Sequence, residues 1–435
     1  MGQPRLFNKA NIIKTMKIIF VYSISLLCFM ACSSGNQKTA TQPERKDNII
    51  HLSAAIENAR EEMLLSELVD SISYIPMETT PNGMVQVIKR MCFNLSPEHI
   101  FYCNQCYDWK GKFIRSIGRV GQGPCEDVAA IYANIIYHKG FFYGNGYKII
   151  EYDRNGNCTG KERTWNTAES LEEQGTGFSH MVCLAPAGDN LMFYNFPDTM
   201  YFMDTDYKFV AKRAMMPSPE PGLVNNAQIE AHGKLTTFYK DTVLFYNFYT
   251  DTIFTVNSTT LSPRWVVELK DELRIAKETV YIEYGALCAE AFQAYKNGTT
   301  ESAEILKIMD GKYVVPVVYE TDDFVFLDVY MRRMWAELRN LPFTPPVLAV
   351  YNKKTGETFG VNKIIDDLGG MKTFWPRLGI CNNKMVDAIW PYKLQEFINE
   401  EKEKGNTVSP LLLDLMKRVH EDDNPILIIA HLKTK

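Results

Sequence analysis

The chain repeats one unit along its length, which is a short apolar stretch, a polar turn and a second apolar stretch. Such turns fall near residues 111, 156, 206, 258 and 356, and apolar and polar residues tend to alternate on either side of them. Alternation with a period of two is typical of half-buried β-strands. Glycine in the turn allows the positive φ of a tight hairpin. The pattern therefore predicts a series of antiparallel β-hairpins.

The spacing of these turns indicates how the hairpins assemble. The first four turns are about 45 to 52 residues apart, which is the length of a four-stranded propeller blade. The last gap is about twice as long. Within it, Ile275, Val280, Tyr284 and Leu287 recur near the helical period. We therefore predict a mainly β domain of propeller type over residues 48–435, with a helical insertion between blades at about residues 272–309.

The C-terminal part predicts helices and a closing strand. Helices are expected over about residues 393–420, where Ser409 and Pro410 form a favourable N-cap and first helical position. An apolar strand from Ile426 to His431 follows. Pairing of this strand with strands before residue 80 would close the ring and remove exposed strand edges.

Residues 1–31 have the features of a secretory signal peptide. Lys14 and Lys17 precede an apolar run from residue 18 to residue 31, and the run holds no charge. At about 14 residues it is shorter than the roughly 20 that span a bilayer. Met16 is the predicted true start, because Lys17 then forms the whole charged region of the signal.

The residues that follow predict a lipid anchor. The run Phe29-Met30-Ala31-Cys32 resembles a lipoprotein signal, in which the cysteine is acylated and becomes the new N-terminus, although Phe29 stands where leucine is usual. The alternative is an ordinary cleaved leader with an incidental cysteine. The polar residues 33–47 are interpreted as a flexible tether. No acidic cluster follows Cys32, which favours the periplasmic face of the outer membrane over the cell surface.

Composition and charge narrow the classes of partner. The aromatic content of 12% in 435 residues favours strands, since aromatic side chains suit pleated, half-buried surfaces. The formal net charge is −5, and it becomes more negative without the leader, which contains basic but no acidic residues. An acidic surface repels phosphate backbones, so nucleic acid is not an expected partner.

The cysteines do not form a recognisable redox or zinc motif. Cys103 and Cys106 have Cys-x-x-Cys spacing, but residues 100–103 have the pattern of a strand and the rest that of a turn. A redox pair of this spacing normally lies at a helix N-terminus, and a zinc site would need a second pair. We expect the cysteines to behave as small buried hydrophobic residues. Whether two of them form a disulfide is left open by the sequence.

The residues now suggest a family. The run Gly111–Pro124 resembles an NHL-type blade, and Tyr74–Thr80 and Glu421–Pro425 are similar to the opening and closing segments of six-bladed β-propeller lipoproteins of unknown function from glycan-degrading anaerobic bacteria. This resemblance covers about residues 48 to 434. It implies six blades and an envelope location, and it carries over no catalytic residue. Cys125 departs from the glycine usual after Pro124, and the repeats are degenerate in blades three to five.

Several motifs with chemical potential are interpreted as turns. The glycine-rich loop Gly118–Pro124 lacks the Lys-Ser/Thr pair of a phosphate loop. Asp153–Asn157 resembles part of a calcium loop without its distal glutamate. The carboxylate pairs Asp322-Asp323 and Asp366-Asp367 are expected to point apart in solvated turns. The seven histidines are isolated and no Gly-x-Ser-x-Gly elbow is present, so no metal, cofactor or catalytic residue is predicted.

Two segments are candidates for a ligand surface. Arg332, Arg333 and Trp335 fall in a non-repeating insertion, and Trp375 and Arg377 fall in the last blade. Tryptophan faces stack on sugar rings or cations, and arginine pairs with carboxylates. In the alternative interpretation these tryptophans pack between blades and the arginines are solvated.

These observations lead to two hypotheses of function. The first is a non-enzymatic binding or scaffold propeller at the cell envelope, anchored to the membrane through Cys32, which binds a protein or a glycan through loops on one face. The second is a periplasmic lyase or hydrolase with an active site in the central channel. A propeller fold alone does not decide between them.

Overall fold

In the computed structural model the chain divides into two compact units, Met1–Asp47 and Asn48–Lys435. All residues that the structure describes belong to the second unit. They are residues 48–88, 92–127, 134–145, 148–164, 181–195, 199–214, 236–240, 242–247, 250–274, 314–330 and 347–433. The predicted leader, Cys32 and the tether lie outside these ranges, as does the predicted helical insertion beyond residue 274.

The second unit begins with a short mixed segment and continues almost entirely as strands. The segment comprises β1 (Ile49–His51), helix α1 (Leu52–Glu57), β2 (Met63–Leu64), a 3-10 turn (Leu65–Glu67) and β3 (Val69–Pro76). Sheet 1 then contains β4 (Phe93–Leu95), β5 (Ile100–Tyr102), β6 (Gln105–Tyr107) and β7 (Phe113–Ser116). Sheet 2 contains β8 (Asn134–His138), β9 (Phe141–Asn145), β10 (Lys148–Tyr152) and β11 (Cys158–Thr164).

The next two sheets have the same order of strands. Sheet 3 contains β12 (Met181–Ala187), β13 (Asn190–Asn195), β14 (Thr199–Met203) and β15 (Phe209–Ala214). Sheet 4 contains β16 (Thr236–Tyr239), β17 (Thr242–Asn247), β18 (Thr252–Asn257) and β19 (Thr260–Glu268), with β1 added beside β19.

The remaining sheets combine late strands with early ones. Sheet 5 contains β20 (Val314–Glu320), β21 (Phe324–Tyr330), β22 (Val347–Asn352) and β23 (Thr358–Val361). The small sheet 7 joins β2 to β24 (Ile364–Ile365) and β25 (Thr373–Phe374). Sheet 6 contains β26 (Gly379–Cys381), β27 (Lys384–Ile389) and β28 (Ile426–Leu432), with β3 outermost. Helices α2 (Pro391–Glu403) and α3 (Pro410–Met416) lie between β27 and β28.

Contacts between the inner strands arrange the sheets as a propeller. Strand β4 contacts β8, β8 contacts β12, β12 contacts β17, β16 contacts β20, β20 contacts β26, and β26 contacts β4. A separate hydrophobic cluster fills the space between each sheet and the next along this cycle. Each sheet therefore buries both of its faces against neighbours, since no sheet can hide its apolar side chains alone.

The number of sheets corrects the sequence prediction. The described residues form seven sheets, where six blades were predicted. The additional one is sheet 7, whose members β2, β24 and β25 are each two residues long. Met63, Ile364 and Phe374 from this sheet enter the cluster between sheets 5 and 6. Strands this short have no measurable alternation, so their pairing could not be predicted from the sequence pattern.

The predicted turns are confirmed by the backbone. Gly111, Gly156, Tyr207, Ser258 and Gly356 all have positive φ, and each lies between the third and fourth strands of its sheet. Three of these turns are also stabilised by an aspartate side chain. The side chains of Asp108, Asp153 and Asp204 each accept hydrogen bonds from backbone N–H groups two and four residues later. These aspartates stabilise the turn locally, which explains why the sequence pattern alone located it.

The ring closes through N-terminal and C-terminal strands, as predicted. Strand β28 pairs antiparallel with β3, with Ile426 opposite Pro76 and Ala430 opposite Ile72. The N-terminal segment before β3 runs along the outer edges of sheets 4 and 5. Strand β1 pairs parallel with β19, and α1 contacts β22 and β23. Gly360 is required there, because a Cβ atom would lie 2.1 Å from the carbonyl oxygen of Ala55.

Asn424 connects the closing segment to the opening one. It is 1% exposed, its side-chain oxygen accepts from the Val85 N–H at 2.8 Å, and its amide donates to the carbonyls of Glu78 and Gly83. We expect Asn424→Ala to lower the free energy of unfolding by about 2 kcal/mol, because buried backbone groups lose their partners. Urea unfolding checks this, with the exposed Asn406→Ala as a control expected to change it by less than about 0.5 kcal/mol. An equal effect of both changes would contradict the role.

Helices α2 and α3 occupy the C-terminal stretch for which the sequence predicted helices. They pack on one hydrophobic cluster, which includes Leu394, Ile398, Leu412 and Leu415. Ser409 is the N-cap residue of α3 and Pro410 its first helical position, although the serine side chain makes no capping hydrogen bond. No helix in the described part of the chain is long and apolar enough to span a membrane.

Candidate functional site

The propeller has two sides that differ in what they carry. On the turn face, the first strand of each sheet joins the second and the third joins the fourth. On the connection face, the second strand joins the third, and the chain passes from one sheet to the next. Trp375 and Arg377 precede β26 and therefore lie on the connection face of sheet 6. The segment 331–346, which contains Arg332, Arg333 and Trp335, joins β21 to β22 and lies outside the described residues.

Arg377 is held in a fixed position at this face. Its Nε donates to Oδ1 of Asp387 at 2.6 Å, and its Nη2 donates to the carbonyl of Ala388 at 2.8 Å. The Asp387 side chain is only 7% exposed, whereas that of Arg377 is 54% exposed. The buried carboxylate thus anchors a guanidinium that still faces solvent. Charge-assisted bonds of this length restrict its orientation.

Trp375 occupies a more buried position beside it. Its carbonyl accepts from the Arg377 N–H at 2.7 Å. Its ring is half-buried and packs with Ile389 against the cluster between sheets 5 and 6. This contact agrees with the alternative interpretation in which the tryptophan packs between blades. Trp375 is therefore only partly exposed at the surface.

Two aromatic residues that the sequence analysis did not single out complete this region. Trp390 is the N-cap residue of α2 and its ring stacks on that of Tyr392, with centroids 6.3 Å apart and an angle of 25°. Tyr392 is 41% exposed, and the Lys393 ammonium lies 5.3 Å from its ring centroid. Pro391 favours the extended backbone of Trp390, whose ring is half-buried and also packs against the cluster between sheets 6 and 1, whereas the Tyr392 side chain is exposed. The run Trp-Pro-Tyr before a predicted helix was the signal available in the sequence.

We call the group Trp375, Arg377, Trp390, Tyr392 and Lys393 the aromatic–arginine surface. Arg377 donates a hydrogen bond to the carbonyl of Ala388, two residues before Trp390. The guanidinium and the stacked rings therefore lie near the same end of β27. The surface offers aromatic side chains next to an exposed guanidinium and an exposed ammonium, which pair with Asp387 and Glu396 respectively. It can stack against a ring-shaped ligand and pair with an anionic group on it.

A second polar group lies on the turn face between sheets 4 and 5. The Glu320 side chain is fully buried and accepts two hydrogen bonds from Arg264, at 2.6 and 2.7 Å, and one from the Trp265 indole at 3.2 Å. Lys353 lies 2.5 Å from the same carboxylate. The Tyr239 ring is next to Arg264 and Lys353, with distances of 5.0 and 4.4 Å to its centroid. We call these five residues the Glu320 cluster.

In the Glu320 cluster, two cations share one buried carboxylate. Burial alone would raise the pKa of Glu320, but hydrogen bonds and charge from Arg264 and Lys353 outweigh it and hold that pKa below its usual value. Burial lowers the pKa of Lys353, although the pair with Glu320 opposes this. The carboxylate is fully buried and already contacts Arg264, Lys353 and the Trp265 indole, so the cluster joins two sheets and offers no exposed group to a ligand.

The acidic motifs that were interpreted as turns have structural roles in the protein, and the expectation for Asp366 was wrong. The Asp153 carboxylate accepts backbone N–H groups of its own hairpin, and these bonds lower its pKa. Asp322 pairs with Lys240 and Asp323 with Lys354, so these adjacent acids do point apart. Asp366 is buried at 6% exposure, which contradicts the expectation of a solvated turn. Its carboxylate accepts three backbone N–H groups and the Tyr74 hydroxyl.

The glycine-rich loop Gly118–Pro124 connects sheet 1 to sheet 2. Its Gly123 N–H donates to Glu126 at 3.0 Å, and the following Cys125 N–H donates to Glu162 at 2.7 Å. Carboxylates of the protein therefore occupy the N–H groups that a phosphate would need. Cys125 forms a disulfide with Cys158 at the start of β11, which accounts for the departure from glycine at this position.

Metal-ligating groups do not converge in the described part of the chain. No set of three or more His, Cys, Asp or Glu residues there could hold a metal ion. His99 and His138 each have a ring nitrogen buried without a hydrogen-bond partner, and burial lowers both pKa values. His99 lies against the rings of Phe101, Tyr137 and Phe142, which makes it part of the packing between sheets 1 and 2.

The cyclic arrangement of sheets and the surfaces at its two faces define the class of protein as a β-propeller. The chain belongs to the family described as "Domain of unknown function (DUF4934)", whose model matches residues 47–431. No curated protein matches the chain.

One solved structure supports the fold, and two others have weaker similarity. A candidate exported protein from Bacteroides fragilis is similar over 89% of this chain and 100% of its own, with 14% sequence identity and a TM-score of 0.58. At this identity the likeness shows the fold alone. BamB from Moraxella catarrhalis matches 68% of this chain and 70% of its own, with 13% identity and a TM-score of 0.27. A protein of unknown function from Bacteroides caccae matches 61% and 78%, with 8% identity and a TM-score of 0.31.

Proposed function

We propose that this protein is an exported, non-enzymatic binding propeller that is anchored to the cell envelope by a lipid on Cys32 and binds a polysaccharide through the aromatic–arginine surface. The observation that carries the proposal is the stacked pair of Trp390 and Tyr392 after the end of β27, where the exposed guanidinium of Arg377 bonds to the Ala388 carbonyl. Aromatic faces offer a rigid apolar platform for a sugar ring. The guanidinium adds a site for a carboxylate, so a polysaccharide that contains uronic acid is the expected ligand class.

The proposed location has independent support. The Cys125–Cys158 disulfide is of a kind that persists in oxidising compartments outside the cytosol. The leader before Cys32 has the charge and length of a secretory signal. A structure similar over 89% of the chain belongs to a candidate exported protein. Attachment at the periplasmic face of the outer membrane is the specific site that we propose.

Binding is tested by affinity gel electrophoresis, with polygalacturonate as an acidic probe and a neutral glucan for comparison. We expect polygalacturonate to retard the protein and Tyr392→Ala to weaken this binding about tenfold, which is about 1.4 kcal/mol. The cause is the loss of one face of the stacked pair. Tyr392→Phe keeps the ring and should restore binding to within about twofold of the native affinity.

The matched control is Phe141→Ala, which removes another exposed aromatic side chain, at a hairpin on the turn face. Its binding should equal that of the native protein. Equal weakening by Tyr392→Ala and Phe141→Ala would argue against this surface as the site. Release of reducing or unsaturated ends from polygalacturonate would instead support the lyase or hydrolase hypothesis.

Lipid attachment is tested by metabolic labelling with a radioactive fatty acid. We expect the native chain to be labelled and to sediment with membranes, because several acyl chains on one cysteine anchor a protein firmly. The Cys32→Ala variant should lose the label. Cys28→Ala, within the leader, is the matched control and should keep it. Labelling that survives Cys32→Ala would show that the cysteine is not the anchor.

A further inference from the structure

Two cysteines face each other across the first hairpin of sheet 1. Strands β4 and β5 pair with Phe93 opposite Tyr102, and Cys92 and Cys103 are the residues directly beyond this pair, where β4 begins and β5 ends. The Cys103 N–H donates to the Cys92 carbonyl at 2.6 Å. Residues joined by such a bond across antiparallel strands have Cα atoms about 5.5 Å apart, which is within the range that a disulfide requires.

The two thiols also contact each other. Their side chains are hydrogen-bonded, both residues are half-buried, and neither is in a disulfide in this structure. The hydrogen bond to Cys92, together with burial, raises the pKa of the Cys103 thiol. Little thiolate is therefore present at neutral pH, and exchange with an oxidant is expected to be slow.

The Cys-x-x-Cys spacing would have paired Cys103 with Cys106 instead. Cys106 lies on β6 opposite Phe101, and its side chain is buried in the cluster between sheets 1 and 2. Cys103 packs against the cluster between sheets 6 and 1, together with Cys92. The side chains of Cys103 and Cys106 thus enter opposite faces of sheet 1, and they cannot meet without a change of strand register.

We propose that Cys92 and Cys103 are a redox-active pair that forms a reversible disulfide across the β4–β5 hairpin. One thiolate attacks a small-molecule or protein disulfide, and a mixed disulfide forms as one thiol leaves. The second thiolate then attacks this mixed bond. The pair loses two protons and two electrons, and the oxidant is released as two thiols. Oxidation in the cell depends on the proposed export to an oxidising compartment, whereas the chemistry itself does not.

The consequence of this bond would be a change in the rigidity of sheet 1. Strand β4 contacts β8 on one side and β26 on the other, so it takes part in two of the contacts that hold the ring together. Cys92 and Cys103 both lie on the connection face, where β4 begins and β5 ends. Oxidation would fix this hairpin end, and reduction would release it.

The test uses the purified mature protein, incubated overnight with oxidised glutathione at pH 8.5 and then alkylated under denaturing conditions. We expect the native protein to lose two titratable thiols. Chymotryptic peptides analysed without reduction should include one in which Cys92 is linked to Cys103 while Cys106 is alkylated. The Cys125–Cys158 disulfide serves as an internal standard, since it should be present before and after treatment.

Two variants make the assignment specific. Cys103→Ser should abolish the loss of thiols, and Cys106→Ser should leave it at two. The proposal is overturned if the native thiol count does not change, if Cys106 is found in the new bond, or if Cys103→Ser loses as many thiols as the native chain. Failure of this experiment would leave polysaccharide binding and export untouched, because the reaction is carried out on purified protein without either.

Discussion

Replacing Glu320 with glutamine is expected to lower the free energy of unfolding by about 3 kcal/mol at pH 7. The carboxylate is fully buried and accepts hydrogen bonds from Arg264, while Lys353 lies 2.5 Å away. Glutamine keeps the volume but removes the negative charge, so Arg264 and Lys353 lose the buried carboxylate that they share. Because Arg264 is one-third exposed, water relieves part of the cost, and the lower end of the usual range applies.

Chemical denaturation of Glu320→Gln and of a control, Asp206→Asn, measures this difference. Asp206 pairs with Lys161, and their side chains are 65% and 48% exposed. Its loss should therefore change stability by about 0.5 kcal/mol or less. Similar values for the two variants would show that burial does not govern the contribution of these ion pairs.

The pH dependence of the same variants gives a second readout. Because the pKa of Glu320 is lower in the folded protein than in the unfolded chain, its stabilisation is complete above the unfolded value, about 4.3. That stabilisation is lost as the pH falls through the lowered folded value. The difference in stability between the native protein and Glu320→Gln should therefore shrink below about pH 4. A constant difference down to pH 2 would contradict the assigned charge state.

Removing the Cys125–Cys158 disulfide is expected to cost about 3 to 4 kcal/mol in the chain-entropy model. The bond closes a loop between residues 33 positions apart in the chain. It ties the connection between sheets 1 and 2 to the outermost strand of sheet 2. Without it, the unfolded chain gains conformational freedom that the folded state does not, so unfolding becomes more favourable.

The experiment compares a Cys103→Ser background with the same chain carrying Cys125→Ser and Cys158→Ser, so that the proposed second disulfide cannot contribute. Unfolding in urea should show the loss directly. Dithiothreitol should destabilise the background by a similar amount and leave the triple variant unchanged. A loss below about 1 kcal/mol would mean that the unfolded chain is already restricted in this region.

The features that the sequence predicted correctly are those that depend on neighbouring residues. The turns at Gly111, Gly156 and Gly356 were predictable because each turn carries its own conformational requirement, and the strands beside them alternate with a period of two. The pairing of β28 with β3 was predictable because a ring with an open edge exposes unpaired backbone groups. Export and lipidation at Cys32 stay predictions from the leader.

The features that the sequence did not predict depend on contacts between distant parts of the chain. Sheet 7 joins strands about 300 residues apart, which are too short to have a pattern of their own. Arg332, Arg333 and Trp335 lie outside the described residues, and their role stays a prediction. The sequence analysis singled out Arg377 as a ligand-binding candidate but not Trp390 and Tyr392. These residues share the connection face only because α2 begins directly after β27.

The cysteines show the same division. Spacing in the chain pointed to Cys103 and Cys106, yet the fold directs their side chains into different clusters and brings Cys92 and Cys103 together at one end of the β4–β5 hairpin. For this protein, the sequence by itself determined the hairpins and the closing strand, since turn residues and alternation act over a few positions. Only the tertiary structure decided the number of sheets, the pairing of cysteines and the composition of the surface. Those depend on which strands meet, and that is set by the packing of the whole ring.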